Sequence, residues 1–237
     1  MTKPLLQITC AALLLSQPVH AENFLQKILR ITGVSATPSQ QKAAGDELEA
    51  PGEIWLANTT GGSARKLSDG SGFRSPIFTP DNLAVLATNG DTLWRIPVDG
   101  GAPRKLHEIK GLTKLVGFDS SDPDKMLALI ETDQTPQAAL LSISTGKTTT
   151  IPHDSKSPED RKLLNHLKGW ERVYGGTKLY VQSKTREGRA GTVELNEVFL
   201  KKGEAAPINV SRNESASSVQ PSLSPNGKSV VFIRTKE

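Results

Sequence analysis

Short apolar runs separated by polar turns make up most of this chain, and one such pattern occurs twice. Residues 52–67 run from an apolar segment through a Gly-Gly turn to Arg-Lys-Leu, and residues 91–106 repeat the pattern. Trp55 and Trp94 lie 39 positions apart and align without a gap. Two short runs joined by a glycine-containing turn are typical of a β-hairpin. A repeat at this period indicates a repeat architecture, and repeated hairpins favour the blades of a β-propeller.

A second recurring element lies between these hairpins: a large apolar residue, a turn and an apolar strand. Its four versions are anchored by Phe78, Phe118, Trp170 and Leu223. The turns contain Pro with Asp-Asn or Asn-Gly, which fix φ or tolerate a positive φ in tight turns. The longer intervals predict loop insertions at residues 152–162 and 184–192.

The order of the two elements predicts how the chain ends meet. The repeat region begins with the Trp-containing hairpin (52–67) and ends with the Ser-Pro-Asn-Gly hairpin (221–237). Together they complete one blade, and residues 76–106, 113–151 and 163–210 would form the others. We therefore predict an all-β propeller of about four blades, residues 52–237, whose first and last hairpins share one sheet and leave no long free edge. A larger ring completed by a second chain is the alternative, and the oligomeric state stays open.

The first 21 residues are typical of an export signal. Lys3 precedes an apolar stretch, and Val19-His20-Ala21 offers a small-residue cleavage site. That stretch is shorter than the roughly 20 residues that span a bilayer, and no later run is longer. We expect an exported, periplasmic or secreted protein without a membrane span. A buried element at the start of a cytosolic domain is the alternative. Cys10, the only cysteine, would leave with the signal.

Residues 22–51 differ from the rest of the chain. Asn23 is a candidate cap for a short helix over residues 24–32, and a polar, small-residue segment predicts a flexible linker after it. The helix carries one apolar stripe, formed by Phe24, Leu25, Ile28 and Leu29. This stripe can pack on the propeller, dock into a partner protein or lie on a membrane beside Lys27 and Arg30. The intervening linker favours a partner.

Composition and motifs argue against several functional classes. The net charge is +4, from 29 basic and 25 acidic residues, and basic pairs such as Arg65-Lys66 lie at predicted strand ends. This mild excess indicates a solvated surface rather than nucleic-acid binding. The sequence contains no nucleophile elbow, zinc-binding His-Glu-x-x-His or phosphate-binding glycine motif. We therefore predict no catalytic residue, cofactor or metal ligand.

Two local groupings were weighed as exceptions. Asp119, Asp122 and Asp124 could offer oxygen ligands to calcium, but their spacing differs from an EF-hand and they fall at an expected turn. His153-Asp154-Ser155 contains catalytic residue types side by side, whereas a triad assembles from separated positions. The turn interpretation is preferred for the three aspartates, and adjacency in sequence is almost no evidence for a triad.

The segment Ser224-Pro225-Asn226-Gly227-Lys228, with the strand after it, resembles the repeat of the TolB-like (WD40-like) propellers. The Ile54-Trp55 and Leu93-Trp94 hairpins with their Gly-Gly turns are similar to that repeat as well. The resemblance implies that the first type of turn links inner strands of a blade and the second links outer strands. It implies an exported propeller that contacts partners, and it names no catalytic group. This chain departs from TolB itself, which has six blades and a separate N-terminal domain.

These observations predict a non-enzymatic interaction module of the cell envelope. The predicted insertion at 184–192 contains Lys184, Arg186 and Arg189, which favour an acidic partner if the loop is more than a solvated surface. A receptor that binds a small ligand or glycan in the propeller channel is the alternative. In that case Trp170 and Tyr174 would stack on the sugar.

Overall fold

A computed structural model describes residues 49–119, 122–133, 135–152, 154–161, 172–174, 176–188, 191–212 and 215–235. The predicted signal peptide (1–21), and the predicted helix and linker (22–51) up to residue 48, lie outside these described residues. Within them the structure is built from strands, and residues 158–161 form one helical turn.

Sixteen strands are defined among the described residues. In chain order they are β1 Glu53–Asn58, β2 Arg65–Lys66, β3 Phe73–Phe78, β4 Ala84–Asn89, β5 Thr92–Pro97, β6 Arg104–Glu108, β7 Leu112–Phe118, β8 Lys125–Thr132, β9 Thr135–Ser142, β10 Thr148–Ile151, β11 Arg172–Tyr174, β12 Thr177–Gly188, β13 Gly191–Lys202, β14 Ile208–Asn209, β15 Ser218–Leu223 and β16 Ser229–Arg234.

The strands form four antiparallel sheets of four strands each. Three are consecutive in sequence: blade 2 (β3–β6), blade 3 (β7–β10) and blade 4 (β11–β14). The closing blade has the order β15-β16-β1-β2 and joins the two ends of the propeller region. This arrangement confirms the predicted all-β propeller of about four blades.

The closing pair is β1 against β16. All six residues of β1 are in register with β16, and Trp55 lies directly opposite Phe232. Neighbouring strands in this sheet therefore come from positions 177 apart in the chain. The shared sheet removes the free strand edge that each end would otherwise expose.

Several middle strands of the blades, such as β1 and β4, are buried on both faces because each sheet packs against a neighbour. In β1, Ile54 and Leu56 point toward blade 2, whereas Trp55 and Ala57 point toward blade 4. In β4, Val85, Leu86 and Ala87 are fully buried although they alternate between faces. This explains why the sequence shows continuous apolar runs where a half-exposed strand would alternate.

Equivalent turns connect the first two strands of blade 2 and of the closing blade. Thr79 and Ser224 occupy the same position, and the hydroxyl of each accepts a backbone N–H from the next strand, at 3.0 and 2.9 Å. Asp81 accepts from the Thr79 hydroxyl at 2.5 Å and from the Leu83 N–H at 2.9 Å. These bonds explain why Ser/Thr-Pro-Asp/Asn recurs at this point.

Hydrophobic clusters join the blades in one order. Residues of blade 2 pack with the closing blade on one side and with blade 3 on the other, and the closing blade also packs with blade 4. A further cluster, which includes Val116 and Leu127, contains residues of blade 3 only. Among the described residues, no cluster joins blades 3 and 4. Closure of the ring at that junction therefore stays a prediction.

The predicted loop insertion at residues 184–192 differs from the structure. Strand β12 continues to Gly188 and β13 begins at Gly191, so most of this segment is a strand pair. Strands β12 and β13 form twelve residue pairs and are longer than β11 and β14, the other strands of their sheet. The predicted insertion at 152–162 contains the helical turn, in which the Arg161 N–H donates to the Ser157 carbonyl at 3.0 Å.

Candidate interaction surfaces

The first strands of blade 2 and the closing blade share an irregularity at the centre of the propeller. Ser75 and Gln220 have φ values of 50° and 51°, which are uncommon for residues other than glycine. Each precedes a proline, and each coincides with a shift in strand register. The two bulges are therefore equivalent features of two neighbouring inner strands.

The Gln220 side chain connects these strands to the start of the domain. Its Oε1 accepts the Ser75 backbone N–H at 2.6 Å, so the bulge of blade 2 is bonded to the closing blade. Its Nε2 donates to the Ala50 carbonyl at 2.9 Å. One amide thus satisfies a backbone donor and a backbone acceptor from segments that are distant in sequence.

Two more contacts hold the entry segment, which we define as residues 49–52. Glu49 forms an ion pair with Lys114 of β7, and both side chains are largely buried. Gly52 and Phe73 of β3 exchange two backbone hydrogen bonds of 3.0 Å. The entry segment is therefore bonded to the inner strands of three blades.

These contacts determine where the N-terminal part of the chain reaches the propeller. Residues 49–51 fall within the predicted linker, yet they lie against the inner strands rather than at an outer blade edge. The described part of the chain therefore begins, at Glu49, among the inner strands. The sequence did not indicate the contacts of the entry segment, because Glu49 and Ala50 belong to no recognisable sequence motif.

A charged cluster lies where the closing blade meets blade 4. The Arg234 guanidinium stacks 3.9 Å from the centre of the Trp55 ring and donates to the Ser211 carbonyl at 2.6 Å. Glu53, buried beside it, forms an ion pair of 3.1 Å with Lys66. Burial lowers the pKa of Arg234, and the charge of Glu53 opposes that shift. Arginine stays charged in proteins. The charged Arg234 side chain therefore links the closing blade to blade 4 through its contacts with Trp55 and Ser211.

The outer part of the β12–β13 hairpin forms a second surface, which we call the hairpin arm (residues 181–188 and 191–196). Among the described residues, β11 pairs with β12 as far as Leu179, and β13 pairs with β12 along its whole length. Ser183, Lys184, Thr185 and Glu187 are exposed.

One face of the hairpin combines aromatic rings with cations. Tyr180 and Phe199 are paired across the strands and stack with ring centres 5.7 Å apart. The Lys184 ammonium lies 4.9 Å from the centre of the Phe199 ring and forms an ion pair of 3.1 Å with the buried Glu197. Lys178 lies over the Tyr180 ring at 5.6 Å.

Most of the residues proposed from sequence as binding residues are not placed by the structure. The helix stripe (Phe24, Leu25, Ile28, Leu29), His153 and Trp170 lie outside the described residues. Tyr174 is the last residue of β11, opposite Thr177. Partner docking by the helix and glycan stacking by Trp170 therefore stay predictions.

The acidic group at 119–124 forms turn contacts. Asp124 accepts from the Ser142 hydroxyl and the Ser144 N–H, both at 2.8 Å, and these bonds lower its pKa. Asp122 accepts from the Asp124 N–H at 3.0 Å and pairs with Lys125 at 3.2 Å. These bonds support the turn interpretation. Across the described parts of the chain, no three His, Cys, Asp or Glu side chains converge as a metal site would require.

No helix within the described ranges combines the length and hydropathy needed to cross a lipid bilayer. No protein-family model and no curated protein matches the sequence.

Solved structures similar to this chain include TolB proteins and a protease. TolB from Acinetobacter baumannii is 15% identical, with a TM-score of 0.35 over 79% of this chain and 48% of TolB. A putative TolB from Agrobacterium tumefaciens is 16% identical, with a TM-score of 0.28 over 78% of each chain. The tricorn protease is 13% identical, with a TM-score of 0.34 over 77% of this chain and 17% of its own.

This chain thus spans about half the length of the A. baumannii TolB. At these identities the likeness concerns the fold alone. The TolB-like turn motifs predicted such a fold, and the strand order and the β1–β16 pairing establish that the chain is a small β-propeller.

Proposed function

We propose that this protein is an exported, non-enzymatic β-propeller that binds a protein partner in the cell envelope. The path of the entry segment carries this proposal. Glu49, Ala50 and Gly52 contact inner strands of three blades, so the preceding chain leaves from the centre of the propeller. The predicted apolar stripe would then be tethered at one face of the ring, close to the turns of several blades.

The contrast between buried strands and exposed polar segments supports this function. Strands such as β1, β4 and β16 are used for packing, since they are buried on both faces. Exposed polar residues lie in the turns and at Ser183, Lys184 and Thr185 of the hairpin arm, and binding residues on rigid scaffolds are concentrated in such exposed segments. A partner would meet a fixed surface from the blades together with the predicted apolar stripe of the N-terminal extension.

The proposal is tested with the mature chain carrying a C-terminal affinity tag. Envelope proteins that copurify in stoichiometric amount are identified, purified and titrated against the chain by calorimetry. The variant replaces Phe24, Leu25, Ile28 and Leu29 by alanine. Its matched control replaces Gln26 and Lys27, which lie on the other side of the predicted helix.

The proposal predicts one saturable partner, weaker binding by the apolar variant and unchanged binding by the control. The apolar variant should keep the melting temperature of the parent, because the stripe contacts the partner rather than the core. Absence of any saturable protein partner, or a large fall in melting temperature, would contradict the proposal.

A further inference from the structure

The first two residues of the entry segment are bonded to two different blades. Glu49 is ion-paired with Lys114 of blade 3. The Ala50 carbonyl accepts the Nε2 N–H of Gln220, in the closing blade, at 2.9 Å. Lys114 and Gln220 are each the third residue of an inner strand, β7 and β15. The two contacts therefore lie at corresponding levels of their blades.

The last residue of the segment is bonded to blade 2 and is closely packed. Gly52 and Phe73, the first residue of β3, exchange two backbone hydrogen bonds of 3.0 Å. A Cβ at Gly52 would overlap the Arg234 carbonyl oxygen, so the backbone is fixed at this residue. The chain after it enters β1, which pairs with β16 throughout. Gly52 is therefore the anchored end of the segment, and Glu49 is the end from which the segment can be lifted.

The contacts of the segment are separate from one another. Pro51, between Ala50 and Gly52, is exposed and has no backbone N–H to donate. The other contacts each involve a different blade. Single hydrogen bonds and ion pairs contribute little individually, so they can be lost one at a time. A segment lifted from its N-terminal side loses the contact with blade 3 first, then the contact with the closing blade and last the bonds to blade 2.

Gln220 can release the entry segment without giving up its bond to blade 2. The same side chain accepts the Ser75 N–H of blade 2 at 2.6 Å through Oε1. Loss of the Ala50 carbonyl affects Nε2 and leaves this acceptor in place. The junction between the closing blade and blade 2 therefore keeps its bond while the segment is lifted, and release does not require the blades to separate.

We propose that the entry segment is a releasable strap. When bound, it holds the inner strands of three blades together, and a pull on the chain before Glu49 releases it stepwise, with blade 3 released first. The strap gives the propeller a conformational response to a load on its N-terminal side. This inference goes beyond the proposed function, because it concerns the free protein and requires no partner.

The experiment measures hydrogen exchange of single backbone amides in the mature chain, by mass spectrometry with peptide fragmentation. The Gly52 and Phe73 amides report the last contact, and the Ser75 amide reports the junction of the two blades. Glu49→Gln removes the charge of the first contact. Gln220→Glu removes the donor of the second contact and keeps an acceptor for Ser75.

The strap predicts that the last contact opens only after the earlier ones. Glu49→Gln should therefore speed exchange at Gly52 and Phe73 about threefold to tenfold, as expected for the loss of roughly one such bond. Gln220→Glu should act there to a similar extent, and the two effects should multiply in the double variant. The Ser75 amide should not exchange faster in either variant.

The matched control is Glu131→Gln, which makes the same change of charge at an exposed residue of blade 3. It should leave the exchange of all three amides at the parent rate. Glu49 lies outside the strands, so Glu49→Gln tests the strap even if Gln220→Glu does not fold.

Two results would overturn the inference. Parent exchange rates at Gly52 and Phe73 in Glu49→Gln would mean that the contacts open independently of one another. Exchange at Ser75 that rises in Glu49→Gln as much as exchange at Gly52 would mean that the blades separate together with the segment. Neither result bears on the proposed partner binding, which is tested by copurification and calorimetry.

Discussion

Phe232 is the residue whose truncation reports most clearly on the packing of the closing blade. Its side chain is fully buried and belongs to the cluster that joins the closing blade to blade 4, near Trp55, Val198 and Leu200. The surrounding residues are held by strands of two sheets, so a cavity left by Phe232→Ala cannot collapse easily. Such Phe→Ala changes cost about 3–5 kcal/mol, as transfer and cavity effects add.

A loss of about 4 kcal/mol is a large part of the roughly 5–15 kcal/mol that stabilises a typical domain. With an m-value of about 2–3 kcal/mol per M, it moves the urea midpoint down by about 1.3–2 M. Equilibrium urea unfolding, followed by tryptophan fluorescence and circular dichroism, measures this shift. Leu83→Ala is the control, because Leu83 is 65% exposed and should change the stability by less than about 0.5 kcal/mol. Equal midpoints for the two variants would refute the packing at this junction.

Three further predictions concern single residues. Gly52→Ala should destabilise the protein, since an added Cβ would overlap the Arg234 carbonyl oxygen, and a lower urea midpoint would show it. Gln220→Ala should leave the Ser75 N–H without its acceptor, cost about 1–3 kcal/mol and speed proteolytic cleavage before residue 52. The Thr79 hydroxyl, the Leu83 N–H and the charge of Arg95 lower the pKa of Asp81 below its ordinary value. The ionised Asp81 therefore stabilises the fold above the unfolded pKa of about 3.9, and this stabilisation is lost as the pH falls through the lower folded pKa. The urea midpoints of the parent and of Asp81→Asn should therefore converge in acid.

The blades were predictable because local patterns repeat within them. Trp55 and Trp94 were aligned from sequence, and they occupy equivalent places in β1 and β5. Trp94 packs edge-on against Phe73 of β3 at 6.1 Å, and Trp55 lies under Arg234 of β16. The position within the repeat was visible in the sequence, whereas the partner of each ring was not, since it comes from another strand.

The contacts between Gln220 and the entry segment could not be predicted from the sequence, and the reason is physical. Gln220 bonds to residues 145 and 170 positions away, so its role exists only after the blades assemble. The hairpin arm was interpreted as a loop because residues 182–188 are mostly polar and lack an apolar alternation. Its strands are held by their mutual backbone ladder, and such pairing leaves little hydrophobic signal in the sequence.

Pairing of β1 with β16 is tested most directly by a disulfide between Asn58→Cys and Ser229→Cys, introduced with Cys10→Ser. These residues are opposite each other. The neighbouring pair is bonded through the Thr59 N–H at 3.0 Å, so Asn58 and Ser229 form a pair without mutual hydrogen bonds. The Cα atoms of such pairs lie about 4.5 Å apart, within the range that a disulfide spans.

The shared sheet predicts an intramolecular 58–229 disulfide in nearly every molecule under mild oxidation, identified by mass spectrometry of unreduced digests. The control joins Asn58→Cys to Ser144→Cys on blade 3 and should give no intramolecular link. Free thiols in the 58–229 variant, or links formed only between molecules, would contradict closure of the blade by the two ends of one chain.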